Sequence, residues 1–194
     1  MKFAIESKDS ISLIYENKSK GWLFFFSEIN DEALLHTNAK NFVIGLAPDG
    51  GRLPADARES IKKAVEKGMN ITSGLHDFLT NDKALVELAK THDCIIRDVR
   101  ITPDRDRLHF FTGKIEEVDC LKIAVLGTDS AIGKRTTAWI IVHGFRKAGL
   151  KAEMVGTGQT AWMQGARYSM IMDSCINDFV SGEIEHATHE AWKN

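Results

Sequence analysis

The chain has 194 residues, 43% hydrophobic and 27% charged, with a formal net charge of −2. Such a length and composition suit one globular domain or two small ones, and no polyelectrolyte character implies nucleic acid as a partner. No apolar run approaches the roughly 20 residues that span a bilayer, so a membrane partner is not expected either.

The first residues, Met1 to Lys8, lack the apolar centre of a signal peptide. The start of the chain is poorly patterned, although Trp22-Leu23-Phe24-Phe25-Phe26 reads as a buried strand. Asn41 to Leu46 reads as a second buried strand and runs into the loop Ala47-Pro48-Asp49-Gly50-Gly51-Arg52-Leu53-Pro54. A helix is expected over Ala55 to Lys67, with Ile61, Ala64 and Val65 on one face and Gly68 as its stop. Next come a short strand at Asn70-Ile71-Thr72 and the loop Ser73-Gly74-Leu75-His76-Asp77. Asn81 is suited to cap a second helix that buries Leu85, Leu88 and Ala89. A strand over Cys94 to Asp98 follows, and this alternation argues for a parallel sheet.

The charged stretch from Val99 to Asp119 reads as a connection, which divides the chain into domains 1–117 and 118–194. Beyond it, Leu121-Lys122-Ile123-Ala124-Val125-Leu126 reads as a buried strand entering the glycine loop Gly127 to Gly133. Lys134, Arg135, Thr136 and Thr137 then open a helix that ends near Lys147, with Ala138, Ile141, Val142 and Phe145 as its apolar stripe and Gly149 beyond it. A strand over Lys151 to Val155 leads to a second glycine turn, Gly156-Thr157-Gly158-Gln159-Thr160, and the chain closes on a helix ending at Glu190-Ala191-Trp192. The two strands that end in glycine turns are expected to be parallel neighbours, with ligands at that edge. About 75 residues from Leu121 is short for a phosphate-loop domain, so that domain is expected to be incomplete at its C-terminus.

A strand, a glycine loop and a lysine at a helix start make a recipe for gripping phosphate. Unpaired N–H groups at the helix start point at the anion, and the helix dipole favours its charge. The alternative is an ordinary turn whose glycines serve only the bend. Five residues separate Gly127 from Gly133 where the common phosphate loop has four, a spacing that resembles dethiobiotin-synthetase-like proteins. Arg135 stands where a serine or threonine normally follows the lysine. The hydroxyl is therefore moved to Thr136, roughly 100° around the helix, which disfavours the usual magnesium coordination. The arginine fork itself suits phosphate oxygens.

Several separated motifs together resemble a family associated with D-glutamate N-acetyltransferase activity. They are Ile44 to Pro54, Ser73 to Leu79, Asp98-Val99-Arg100, the phosphate loop, Thr157-Gly158-Gln159-Thr160, Met172-Asp173, Asp178-Phe179-Val180 and Gly182-Glu183-Ile184-Glu185. The resemblance covers about Asn41 to Glu185 and weakens before it. It implies an α/β fold, a Rossmann-like parallel-sheet domain followed by a P-loop NTPase-like domain that looks truncated here. It also implies transfer of an acetyl group from acetyl-CoA to the amine of an acidic D-amino acid. Gly127, Thr128, Gly133, Lys134, Arg135, Thr136 and Thr137 would then hold the CoA phosphates, and acetyl transfer itself requires no metal.

The acceptor amine must be neutral to attack a thioester, which calls for a base. His76, Asp98, Asp173 and Asp178 are the catalytic candidates, with Glu185 a further carboxylate. Arg52, Arg100 and Gln159 are candidates to hold a substrate carboxylate or an oxyanion, with Gly50 and Gly51 shaping that site. Against these roles stand plain ones: a turn at Gly50-Gly51, and capping or solvation at His76, Asp173 and Asp178. His186 and His189, three apart on a helix, read as surface residues, and no histidine pair has metal-ligand spacing. An ATP-dependent ligase or kinase with Mg-ATP remains an alternative, as does a non-catalytic nucleotide-binding module. The scattered Cys94, Cys120 and Cys175 suit a reducing, cytoplasmic location. A homo-oligomer is compatible with this sequence.

Overall fold

The computed structural model describes residues 2–7, 10–17 and 22–25 as strand backbone, and residues 39–44, 52–129 and 131–194. The chain forms two compact units, Met1–Ile101 and Thr102–Asn194.

In the first unit, strands β1 (Lys2–Ser7), β2 (Ser10–Asn17), β3 (Trp22–Phe25), β4 (Asn41–Ile44), β5 (Asn70–Ser73) and β6 (Ile96–Asp98) lie in that order in one sheet. β1 to β3 pair antiparallel, whereas β3 to β6 run parallel. The sheet is thus mixed, and its antiparallel opening is the part the sequence pattern did not announce. The strand expected at Trp22 is present as β3; the burial of its side chains lies outside the described residues.

Helices α1 (Ala55–Glu66) and α2 (Lys83–Thr91) connect β4 to β5 and β5 to β6. Ile61, Ala64 and Val65 of α1 and Leu85 and Ala89 of α2 pack on Phe42, Ile44 and Ile71. Phe42 and Ile44 are two apart and share a sheet face, as the strand repeat requires. A residue in the left-handed region ends each helix: Gly68 at φ 76° and Asp93 at φ 52°. The following N–H reaches back to the last turn, Met69 to the Ala64 carbonyl and Cys94 to that of Ala89. Asp82, not Asn81, caps α2, its side chain accepting from the Leu85 N–H at 3.1 Å. Burial pushes the Asp82 carboxyl up. The bond from Leu85 and the Arg58 guanidinium at 2.6 Å outweigh that and hold it below the usual range.

In the second unit, α3 (Lys134–Lys147), β7 (Val155–Gly156), the short α4 (Gln159–Met163) and β8 (Tyr168–Ser169) surround a small core of Val142, Met154, Ala161 and Ala166. Helix α5 (Val180–Lys193) follows. β7 pairs parallel with β8. This corrects the expectation that β7 neighbours the strand before the phosphate loop. Leu121 to Gly127 has no ladder among the described residues, and Leu121, Ile123 and Leu126 are 79%, 50% and 85% exposed. A strand needs a neighbour for its N–H and carbonyl groups, and among the described residues β7 has β8 alone as its partner.

The unit begins at Thr102, ahead of the boundary expected at 117/118, because residues 109–118 are bound to α5. Glu185 accepts from the N–H groups of Thr112 (2.7 Å) and Ile115 (3.1 Å), and the Phe110 ring packs tilted against that of Phe179. Gly156 closes the core from the other side. A Cβ there would lie 2.7 Å from that of Ala161 and 3.1 Å from that of Ser169. Gly156→Ala is therefore expected to destabilise the unit by about 1–3 kcal/mol, read as a lower thermal midpoint.

Candidate functional site

The second unit carries the glycine loop as a local structure that suits an anion. Gly133 stands at the N-terminal cap of α3 at φ 97°, and Ala131 also lies in the left-handed region at φ 54°. The first bond of the helix runs from the Thr137 N–H to the Gly133 carbonyl at 2.9 Å. The N–H groups of Gly133, Lys134, Arg135 and Thr136 precede it and have no partner within the helix, and no side chain caps it. The Lys134 ammonium folds back to donate to the Asp129 carbonyl within the loop. Its stem and Ile132 close over Gly127, where a Cβ would come within 2.5 Å of Ile132 Cδ1 and 3.0 Å of Lys134 Cδ. Thr128, Arg135, Thr136 and Thr137 are exposed, and Gly133 and Lys134 half-buried. A bare main-chain surface and a lysine folded back over the loop thus meet at one helix start.

The second glycine turn lies in the same unit. Gln159 opens α4 and is half-buried. Met172 N–H donates to the Thr157 carbonyl at 3.3 Å, which tethers the turn Met172–Ser174 beside it and with it the exposed Asp173. Asp178 is exposed on the next turn, Asn177–Phe179, which leads into α5.

In the first unit the loops after β5 and β6 bring other candidates together. His76 and Arg52 are exposed. Asp98, at the end of β6, is buried and both its oxygens are engaged. One accepts from the Leu79 N–H at 3.1 Å, the other from the Thr80 N–H at 2.9 Å and the Thr80 hydroxyl at 2.7 Å. The Arg100 Nε donates to the Gly74 carbonyl at 2.6 Å, and Asp77 accepts from the Leu53 N–H at 2.8 Å. Asp77 was not singled out from the sequence. Its only signal was its place beside His76. Gly50 and Gly51 lie outside the described residues.

The carboxylates on α5 are structural. Glu185 is buried and bound to residues 112–115; burial raises its carboxyl, and the bonds from Thr112 and Ile115 bring it below the ordinary value. Glu183 accepts from the backbone N–H (2.6 Å) and Nδ1 (2.8 Å) of His109. The His109 ring stacks on His186 with centroids 3.6 Å apart. His189, expected at the surface, is buried and faces Glu117 at 3.2 Å, because residues 109–118 cover this side of the helix.

Burial and then the neighbouring His109 lower the His186 pKa, against the pull of Glu183 and Glu190. A histidine lowered in the folded state costs stability as pH falls below its ordinary value of 6.5, since the unfolded chain takes the proton first. Glu185 loses its contribution further down, below its ordinary 4.5. The second unit is therefore expected to lose stability in two steps on acidification, measured by denaturant titration from pH 8 to about pH 2. His186→Gln should remove the upper step alone.

Two family models match this chain. A Rossmann-like domain of unknown function (DUF1611_N) matches residues 25–102, and a P-loop domain of unknown function (DUF1611_C) matches residues 109–194. The chain belongs to the DUF1611 family. It has that family's Rossmann-like N-terminal domain and P-loop C-terminal domain. Over 153 residues it is 33% identical to a D-glutamate N-acetyltransferase of Pseudoalteromonas, covering 79% of this chain and 45% of that protein. A second D-glutamate N-acetyltransferase, from Tritonibacter scottomollicae, is 30% identical over 166 residues, covering 84% and 47%. The crystal structure of a DUF1611 family protein from Anabaena variabilis aligns with a TM-score of 0.73 at 32% identity, over 84% of this chain and 46% of that one. The chain thus spans about half the length of the curated relatives it matches. No helix among the described residues is long and apolar enough to cross a membrane.

Proposed function

We propose that this DUF1611 chain binds the phosphates of acetyl-CoA on the loop from Gly127 to Lys134 and belongs to a cytoplasmic acetyltransferase acting on an acidic D-amino acid such as D-glutamate. One observation carries the reading: a glycine loop opens α3 with its lysine folded over it, in a chain about a third identical to D-glutamate N-acetyltransferases. The residues fit the ligand. The N–H groups of Gly133 to Thr136 supply donors, Lys134 and Arg135 supply charge, and Gly127 leaves room for the Lys134 stem and Ile132 to close over the loop. Thr128, Thr136 and Thr137 would add hydroxyl donors.

In the reaction, the amine nitrogen bonds to the thioester carbonyl carbon, the carbon–sulfur bond breaks, CoA leaves as thiol and the amine gives up a proton. His76 is the group proposed to receive that proton. It is exposed on its loop, whereas Asp98 has both oxygens engaged. Arg52 and Arg100 are proposed to hold the acceptor carboxylates, and Gln159, with Asp173 and Asp178, to line the donor side. Incubating the chain with acetyl-CoA and D-glutamate tests the reaction. Thiol release with formation of N-acetyl-D-glutamate is expected, and equal release with or without the amino acid would contradict it.

ATP-dependent ligation or phosphorylation is the second reading, favoured by the five-residue spacing between Gly127 and Gly133. Arg135, in place of the metal-directed hydroxyl, weighs against it.

A further inference from the structure

The loop after β5 is held along its whole length. Arg100 fastens its start at the Gly74 carbonyl, and Asp98 fastens its end at Leu79 and Thr80. Between them Asp77 reaches across to the Leu53 N–H, on the segment that enters α1. His76 stands among these attachments and is exposed, while Leu75 and Leu79 on either side are buried in the core. The main chain is thus pinned on both sides of an imidazole that faces solvent. Pinning a reactive group before its substrate arrives removes ordering cost from the binding step.

We infer that Asp77 and Asp98 are positioning residues, which hold the His76 imidazole at the strand-end edge where an acceptor amine would meet it. This rests on the acceptor reading above. It gives Asp98 a different task from that of a base. Its carboxylate is spent on the loop and acts on substrate only through His76. Asp77 acts likewise by joining the His76 loop to the segment that carries Arg52.

The test reads the ring signals of His76 by NMR in the full chain, assigned with a His76→Gln variant. His92, at the C-terminal end of α2, serves as the control. Asp77→Ala removes an exposed side chain, so its core contacts are unchanged. It is expected to move and broaden the His76 signals, leave His92 in place, and weaken D-glutamate binding about five- to tenfold. Asp77→Asn keeps an oxygen acceptor and should restore most of both. Asp98→Asn should displace the same His76 signals. Unchanged His76 signals with unchanged affinity in Asp77→Ala would overturn the inference. A parent chain that does not bind D-glutamate overturns the acceptor reading, and the His76 signals then still decide whether Asp77 holds the ring.

Discussion

Gly182→Ala is expected to lower the thermal midpoint of the second unit by roughly 10–20 °C, the largest effect of any single methyl group proposed for this chain. The added Cβ would fall on the His109 carbonyl oxygen, 2.5 Å from the Phe110 carbonyl carbon and 2.7 Å from that of His109. These are backbone atoms, so no side chain can turn aside. Residues 109–118 must lift from α5, and with them go the bonds from Thr112 and Ile115 to Glu185 and from His109 to Glu183. The cost is about 2–4 kcal/mol, at the upper end for overpacking. Gly144→Ala on α3 is the control. Nothing lies within 4 Å of its added Cβ, so a gain of about 0.5–1 kcal/mol is expected from helix propensity alone. Differential scanning calorimetry on both variants reads the contrast.

Lys134→Ala is expected to weaken CoA binding about 10- to 150-fold while leaving the fold intact. An ion-assisted hydrogen bond contributes about 1.5–3 kcal/mol, which sets that range. The described hydrogen bond of the Lys134 side chain goes to a carbonyl of its own loop, so its removal opens no core cavity. Arg135→Ala should weaken binding less, because Arg135 stands exposed beyond the loop's closure. Equal losses in the two variants would assign the phosphate grip to both cations.

The parallel part of the first unit was legible because each local signal agreed with its neighbours. Phe42 and Ile44, the stripe of α1 and the stripe of α2 all belong to one core. Gly68 and Gly149 end their helices at φ 76° and 81°, as the punctuation of the sequence suggested. The antiparallel β1 to β3 were not legible, since strands at the start of a chain announce no pairing partner. Leu121 to Leu126 misled for a related reason. Its residues carry strand propensity, yet a strand is defined by a neighbour, and among the described residues it has none. The glycine turn and the helix it opens at Lys134 were legible, and the contacts of the charged side chains were not. Asp98 and Glu185 carry charge at motif positions, but only geometry shows their oxygens spent on Leu79, Thr80, Thr112 and Ile115. His189 is buried where its spacing suits a surface residue, because that spacing does not reveal residues 109–118 packed over it.

Calorimetric titration of the purified chain with CoA, acetyl-CoA and Mg-ATP tests the proposed phosphate grip most directly. CoA and acetyl-CoA are expected to bind more tightly than Mg-ATP, with that binding largely lost in Lys134→Ala. Preferential binding of Mg-ATP, or a Lys134→Ala variant that binds CoA as tightly as its parent, would contradict it.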